Sequence, residues 1–401
     1  MPSRLPLVFI LITLVLDAMG IGLILPVMPD LIRDLNGGGL GQAAIWGGIL
    51  ATSFAVMQFL FGPTIGSLSD RFGRRPILLI SLLVMAVDYL VMAVAGSIWL
   101  LLVTRIVGGV AAATPATAAA FIADISPPEK KSQNFGLIGA AFGVGFVLGP
   151  IIGGLLSEFG HRAPFYAAAT LATLNLILGL FVLPETVTDR IRRPFDLRRA
   201  NPFGAFRAIG RLPGVTRLLL LFFLYEFAFI VYPATWAFFT AERFGWSPGM
   251  IGLSLGSFGI AMAIVQGGLI RWIIPRLGER NTILYGFAFN FAAFLFLTLN
   301  ENGLLTLLFT PVTALGAVVT PALQGMMSRT AADNQQGELQ GVIASSKSVA
   351  MIAAPLVMTQ VFWAFTAPDH VYFPGAPFGL SALLMLACAM VFLARPARAP
   401  A

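Results

Sequence analysis

The chain has 401 residues, 58% of them hydrophobic and only 11% charged, with a formal net charge of +7 and a mean hydropathy of +0.87. Soluble domains carry about 25% charged residues, so this composition excludes a water-soluble globule and makes the lipid bilayer its main solvent. A basic excess can signal nucleic acid, but here the basic residues sit in loops between apolar stretches, which fits membrane orientation, so no nucleic-acid partner is expected. The single cysteine, Cys388, excludes an internal disulfide.

Crossing the hydrocarbon core takes about 20 apolar residues per helix. Twelve such stretches are predicted, at 5–30, 43–68, 75–96, 98–123, 132–158, 163–184, 215–241, 248–274, 281–299, 303–326, 337–364 and 376–395. The first is longer than a signal-peptide core and carries Asp17, so it is expected to remain as a span. Backbone polar groups in lipid need internal partners, so the spans are helices and the expected class is an all-α membrane protein.

Basic residues fall on alternate loops. Arg71, Arg74 and Arg75 follow the second span, and Lys130 and Lys131 follow the fourth. Arg190, Arg192, Arg193, Arg198, Arg199, Arg207 and Arg211 follow the sixth. Arg271, Arg276 and Arg280 surround the turn after the eighth, Arg329 follows the tenth, and Arg395 and Arg398 end the chain. The opposite loops hold little beyond Arg33, Arg162 and Arg243. The positive-inside bias therefore puts both termini in the cytoplasm. Residues 185–214 are the one long polar connection, interrupted by Pro194, Pro202 and Pro213. They are read as a cytoplasmic linker between six-helix halves at 1–184 and 215–401, either a disordered tether or one holding a short interfacial helix near Pro202–Leu212.

The halves repeat. The run from Asp70 to Arg75 aligns with Pro275 to Arg280 at an offset of 205. At nearly that offset Thr114-Pro115-Ala116 matches Thr320-Pro321-Ala322, Gly136 matches Gly341, and Pro150 matches Pro355. Parallel six-span repeats with a site at their midplane interface are a secondary-transporter design.

Ionisable groups inside spans are costly and mark function by default. Asp17, Asp88, Arg105 and Glu226 are such groups, with structural ion pairing or wetting near an interface as the plainer reading. Arg105 keeps its charge, whereas the acids titrate with burial and with a nearby arginine. Gln58 and Gln266 suit either a polar ligand or helix–helix bonding, and Asn175 and Asn290 suit helix–helix bonding. Phe229, Trp236, Phe238 and Phe239 suit packing or stacking on an aromatic ligand. Gly145, Gly149 and Gly153 are four apart, so they share a helix face and admit a close neighbour, expected to be the other half of the molecule. In Gly66–Pro76 (GSLSDRFGRRP), Asp70 is expected to latch onto a helix N-terminus or a basic residue of an adjoining helix, and Gly73 to permit the tight turn. His161 and His370, the only histidines, fall in loops. No phosphate loop or metal-ligand spacing is present, so no enzyme activity, metal or cofactor is expected.

These motifs resemble the major facilitator superfamily, and within it the twelve-span drug/proton antiporters. GSLSDRFGRRP resembles the superfamily's loop motif between spans 2 and 3, which would make Gly66, Asp70, Arg71, Gly73, Arg74 and Arg75 a cytoplasmic gate. Gly136, Gly145, Gly149, Pro150, Gly153 and Gly154 fit the antiporter motif of span 5, G-x8-G-x3-G-P-x2-G-G, at every fixed position. LDAMGIGLILPVMPDLIRDL, AVDYLVMA, FTAERFGW, GELQG and FPGAPF are similar to segments of the tetracycline/proton antiporters. The resemblance implies the major facilitator fold, twelve helices in two six-helix pseudo-repeats. It implies proton-coupled export of drugs or amphiphilic small molecules by alternating access, from a bacterial inner membrane, by a chain working as a monomer. Proton coupling would use Asp17, Asp88, Arg105 and Glu226, and substrate would meet Asp17, Gln58, Asp88, Arg105, Gln266 and Asn290. The chain departs from that family at Asn290, where an aspartate is usual, and at Met262, where some members carry histidine. Asn290 carries no proton, which leaves Glu226 as the acid for the C-terminal half. A proton symporter or facilitator for a metabolite, or a sensor that has lost transport, are the alternatives.

Overall fold

A computed structural model describes residues 5–112, 114–189, 192, 195, 201–212, 214–332, 335–368 and 370–394. Arg190, Arg193, Pro194, Arg198, Arg199, Pro213, Arg395 and Arg398 lie outside the described residues. Every regular element among the described residues is helical.

The first predicted span is two helices, α1 (Leu5–Ile24) and α2 (Met28–Asn36). Pro26 and Pro29 explain the division: neither has an N–H to continue α1, and Pro29 suits the first turn of α2. Next come α3 (Leu40–Phe72) and α4 (Arg74–Val94), then α5 (Ile98–Ala111) and α6 (Thr114–Ile125). Then follow α7 (Lys131–Leu156) and α8 (Ala163–Val182). After the linker come α9 (Thr216–Phe229) and α10 (Val231–Phe244), α11 (Pro248–Ile264) and α12 (Ile270–Leu299), and α13 (Gly303–Thr313) and α14 (Val319–Thr330). Last are α15 (Gln336–Ala364) and α16 (Ala376–Leu393).

Eleven stretches among the described residues are long and apolar enough to cross a membrane. One of them, Pro248–Leu299, has 52 residues, about 78 Å of helix and enough for two passes. Its turn is Gly278, at φ +72°, and the equivalent turn between α3 and α4 is Gly73, at φ +113°. Both positions demand glycine, and they lie 205 residues apart. Twelve crossings result, so the first and last described residues share one end of the bundle with the linker. The second predicted span and its loop motif also shift: α3 stays helical through Phe72, so Gly66, Asp70 and Arg71 are helical and Gly73 alone makes the turn.

Three crossings are broken in the middle, at Ala112, at Ile230 and at 314–318. Pro115, Pro233 and Pro321 each sit in the first turn of the following helix, where a missing N–H costs least. In the linker, Gly204–Arg211 forms a 3-10 helix. It is tied to α15 by Gln335 Nε2, which donates to Arg211 O at 2.9 Å, and by an Arg211–Glu338 ion pair at 3.5 Å. Phe203 meets Phe59 of α3 edge-on, with centroids 5.4 Å apart.

Glycine sets the tightest packing. A Cβ on Gly145, Gly149 or Gly153 would strike the backbone of Val15, Met19 or Leu23, so this face of α7 meets α1 of the same half and not the other half. The other half meets the adjacent strip of α7, where Pro150 and Gly154 touch Gly252 and Gly249 of α11. Likewise α3 meets α15 at Thr52, whose hydroxyl donates to Ile352 O at 2.9 Å, and where Gly41 approaches Trp363 and Thr366. All these contacts lie toward the end away from the linker. Toward the linker end Phe135, Leu137 and Phe142 of α7 are exposed, as are Trp272 and Leu277 of α12. The close contacts named here between helices on either side of the linker thus run from the middle of the bundle to its far end.

Replacing glycine by alanine inside a helix ordinarily stabilises by about 1 kcal/mol. Gly136→Ala, where a Cβ meets nothing, is expected to raise the thermal midpoint in detergent slightly. Gly153→Ala is expected to lower it, because overpacking against the Leu23 backbone costs about 1–3 kcal/mol. Equal shifts would refute the α1–α7 contact.

Candidate functional site

The charged group at the centre of the first eight helices is built from α3, α4 and α5. Arg105 Nη2 is paired with Asp88 Oδ2, and both side chains are nearly buried. The guanidinium also lies over the Phe54 ring, 5.2 Å from its centroid. Asp88 Oδ1 and Arg105 Nε have no partner among the described residues, so the pair keeps one acceptor and one donor unspent. One turn along α3 from Phe54, Gln58 donates to Ala112 O at 3.2 Å. Ala112 is the C-cap of α5, so Gln58 satisfies a carbonyl freed by the break. Gln58, Asp88 and Arg105 are thus brought together around Phe54 and Gly108.

Asp17 is buried on α1, and no hydrogen bond or ion pair reaches it among the described residues. Tyr89, next to Asp88 on α4, presses its hydroxyl end on Gly20, one turn beyond Asp17. In the later helices Glu226 of α9 accepts from Thr320 Oγ1 of α14 at 2.9 Å and lies 3.7 Å from Lys347 Nζ of α15. Among the described residues no hydrogen bond or ion pair joins this group to Asp88 or Arg105. Asn290 is fully enclosed and ties α12 to the 314–318 break, its amide donating to Gly316 O at 2.9 Å. Tyr225 donates to the same carbonyl at 3.3 Å. Gln266 stands apart, exposed in a π-helical turn at Val265–Leu269. Asn175 bonds Thr13 between α8 and α1. Trp236 and Phe239 are core side chains, and Trp236 Nε1 donates to Ser254 Oγ at 2.9 Å.

At the linker end, Arg74 gathers the gate motif. Its guanidinium meets Asp70 at 2.5 Å, Ser69 at 2.5 Å and Asp124 of α6 at 3.3 Å. Asp70 is therefore paired with a basic residue of the adjoining helix. Glu185, just past α8, accepts from the backbone N–H groups of Arg74 and Arg75 at 2.9 and 3.2 Å, capping α4. Arg71 lies over Phe72. In the second half Glu279 pairs with Arg329. These two residues stand 205 positions after Arg74 and Asp124, so the second copy keeps the ion pair with its signs exchanged. Pro275 replaces Asp70, but the second copy is not without an acid.

Four residues of these groups escaped sequence reading. Lys347 obeys the same rule that picked out Asp17, an ionisable residue within a span, but it sits in a run of serines. Asp124 becomes visible once Arg329 is projected back through the repeat. Glu185 gave no signal before the fold placed it over α4. Phe54 is one of many phenylalanines.

The chain matches the family model described as Major Facilitator Superfamily over residues 10–355 and again over 218–401. It is 42% identical to the class C tetracycline resistance protein of Escherichia coli over 362 residues, 90% of this chain and 91% of that protein. It is 39% identical to the class G tetracycline resistance protein of Vibrio anguillarum, over 86% of this chain and 88% of that protein. The crystal structure of the human organic anion transporter MFSD10 superposes with a TM-score of 0.70 at 28% identity, covering 98% of this chain and 100% of that one. The all-helical bundle is the major facilitator fold, shared with that human organic anion transporter. This multi-pass membrane protein, similar to the tetracycline resistance proteins, belongs to the Major Facilitator Superfamily.

Proposed function

We propose that the chain is a proton-coupled exporter of amphiphilic organic molecules of the tetracycline kind, working as a monomer by alternating access. The halves at 1–184 and 215–401 rock about the interface between them, with the linker end in the cytoplasm of a bacterium and the far end outside its inner membrane. The observation that carries the reading is a titratable acid, Asp88, paired within the membrane to a cation that cannot lose its proton. When Asp88 is ionised the two charges of the pair compensate each other. A proton arriving at Asp88 leaves Arg105 uncompensated, and in a low-dielectric site that forces a rearrangement. Asp17, buried without a partner, supplies a second protonation site, and Glu226 a third.

The relatives' names support an organic small molecule as cargo, and positive-inside charge supports the orientation. In this reading contacts of α3 with α15 and of α7 with α11 close the outer side, and the site opens toward the cytoplasm. The Arg74 group holds the ends of α3, α4 and α6 as one block while the halves move.

Drug sensitivity in a host lacking its own pumps tests the cargo. Expression is expected to protect against tetracycline or another amphiphile of the panel, and Asp17→Asn to remove protection. Unchanged sensitivity across the panel would refute export. In inverted vesicles with an imposed pH gradient, Asp88→Asn and Arg105→Ala are each expected to cut driven uptake by about tenfold or more, the scale of losing one interaction of 1.4 kcal/mol. Uptake indifferent to the gradient would refute proton coupling. At the gate, Asp70→Asn is expected to impair transport more than Arg276→Ala, because Arg276 only lies over Trp272 whereas Asp70 holds Arg74. Equal effects would contradict that asymmetry.

A further inference from the structure

Lys347 is the twelfth of the 29 residues of α15, about 18 Å from its linker end and so near mid-membrane. Its side chain is nevertheless 55% exposed. A cation at that depth must face water or a counter-ion and not lipid. Gly337, Gln340, Ala344, Lys347 and Met351 form one exposed stripe at helical spacing. It lies roughly opposite the exposed Val357 and Gln360 nearer the far end, counting about 100° per residue. The outer side of the same half of α15, at Val342, Ser346 and Val349, is flanked by Phe206 and Ile209 of the linker and by α9. The stripe bearing Lys347 therefore faces away from the linker, and a cation on it must look into the interior space of the bundle and not onto lipid.

The ammonium is poorly satisfied there. Glu226 lies at 3.7 Å, beyond the usual 2.7–3.2 Å or so of an N–H···O bond. One oxygen of Glu226 already accepts from Thr320. Lysine carries three donors, and no hydrogen bond from them is made within the described residues. On the other side of the space Arg105 is tied directly to Asp88 and only slightly exposed. Of the two cations Arg105 and Lys347, it is Lys347 that is placed to receive an anion from outside the protein.

We propose that Lys347 anchors an anionic group, a carboxylate or its equivalent, on the transported molecule, with Glu226 and Thr320 holding the lysine in place. The substrate class is then organic anions and zwitterions, and not simple lipophilic cations. The proposal rests on the export reading above but concerns binding, so the two can fail separately.

The probes are rhodamine 110, which bears a free carboxylate, and rhodamine 123, its methyl ester. Binding to purified protein is followed by fluorescence anisotropy, and uptake by inverted vesicles. The native protein is expected to prefer rhodamine 110, Lys347→Gln to reduce that preference by about tenfold, the loss of one charge-assisted contact, and Lys347→Arg to restore most of it. A preference that persists in Lys347→Gln, or a native protein that binds neither dye or both equally, overturns the proposal. Dye bound with this preference but never transported leaves the anion site standing and refutes export. Dye transported without regard to Lys347 does the reverse.

Discussion

An arginine within a membrane span cannot shed its charge, and Arg105 imposes that constraint on the helices around it. Its carboxylate partner has to come from a neighbouring span, so α4 and α5 are joined at Asp88. Phe54 of α3 closes over the guanidinium, and the three helices are registered on one another. The later helices use a lysine where the earlier ones use an arginine, and hold it loosely. One group is a tight pair and the other an open one, so the two cations differ in how firmly a carboxylate holds them.

The second constraint is the backbone. In lipid each freed carbonyl needs a donor, and breaking three crossings frees several. Gln58 serves the break at Ala112, and Asn290 with Tyr225 serves the one at Gly316. Polar side chains that suggest ligand binding in the sequence are thereby partly spent on the fold. The breaks bring Thr320 to Glu226, so the irregular backbone helps to build the site. Between the earlier and the later helices, glycines of α3, α7 and α11 let backbones approach toward the far end.

Hydropathy alone located the spans, because the bilayer tolerates little charge over such lengths, and the repeat located both turning glycines. What stayed hidden has physical causes. The division at Ile24–Met28 depends on two prolines within a stretch that is apolar throughout. The partner of the Gly145–Gly153 face was assigned to the other half, because spacing shows which residues share a face but not which helix covers it. Lys347 was masked by its small polar neighbours. The sign-exchanged pair Glu279–Arg329 is invisible to residue-by-residue identity, because an ion pair survives exchange of both partners.

The central claim is that the far-end seam opens and closes during each cycle. A disulfide between Gly41→Cys and Thr366→Cys tests it, since a Cβ on Gly41 lies against Thr366 while the native Cys388 is buried. Oxidation is expected to abolish transport in vesicles, and reduction to restore it. Transport that continues at full rate with the cross-link formed would contradict alternating access through this seam.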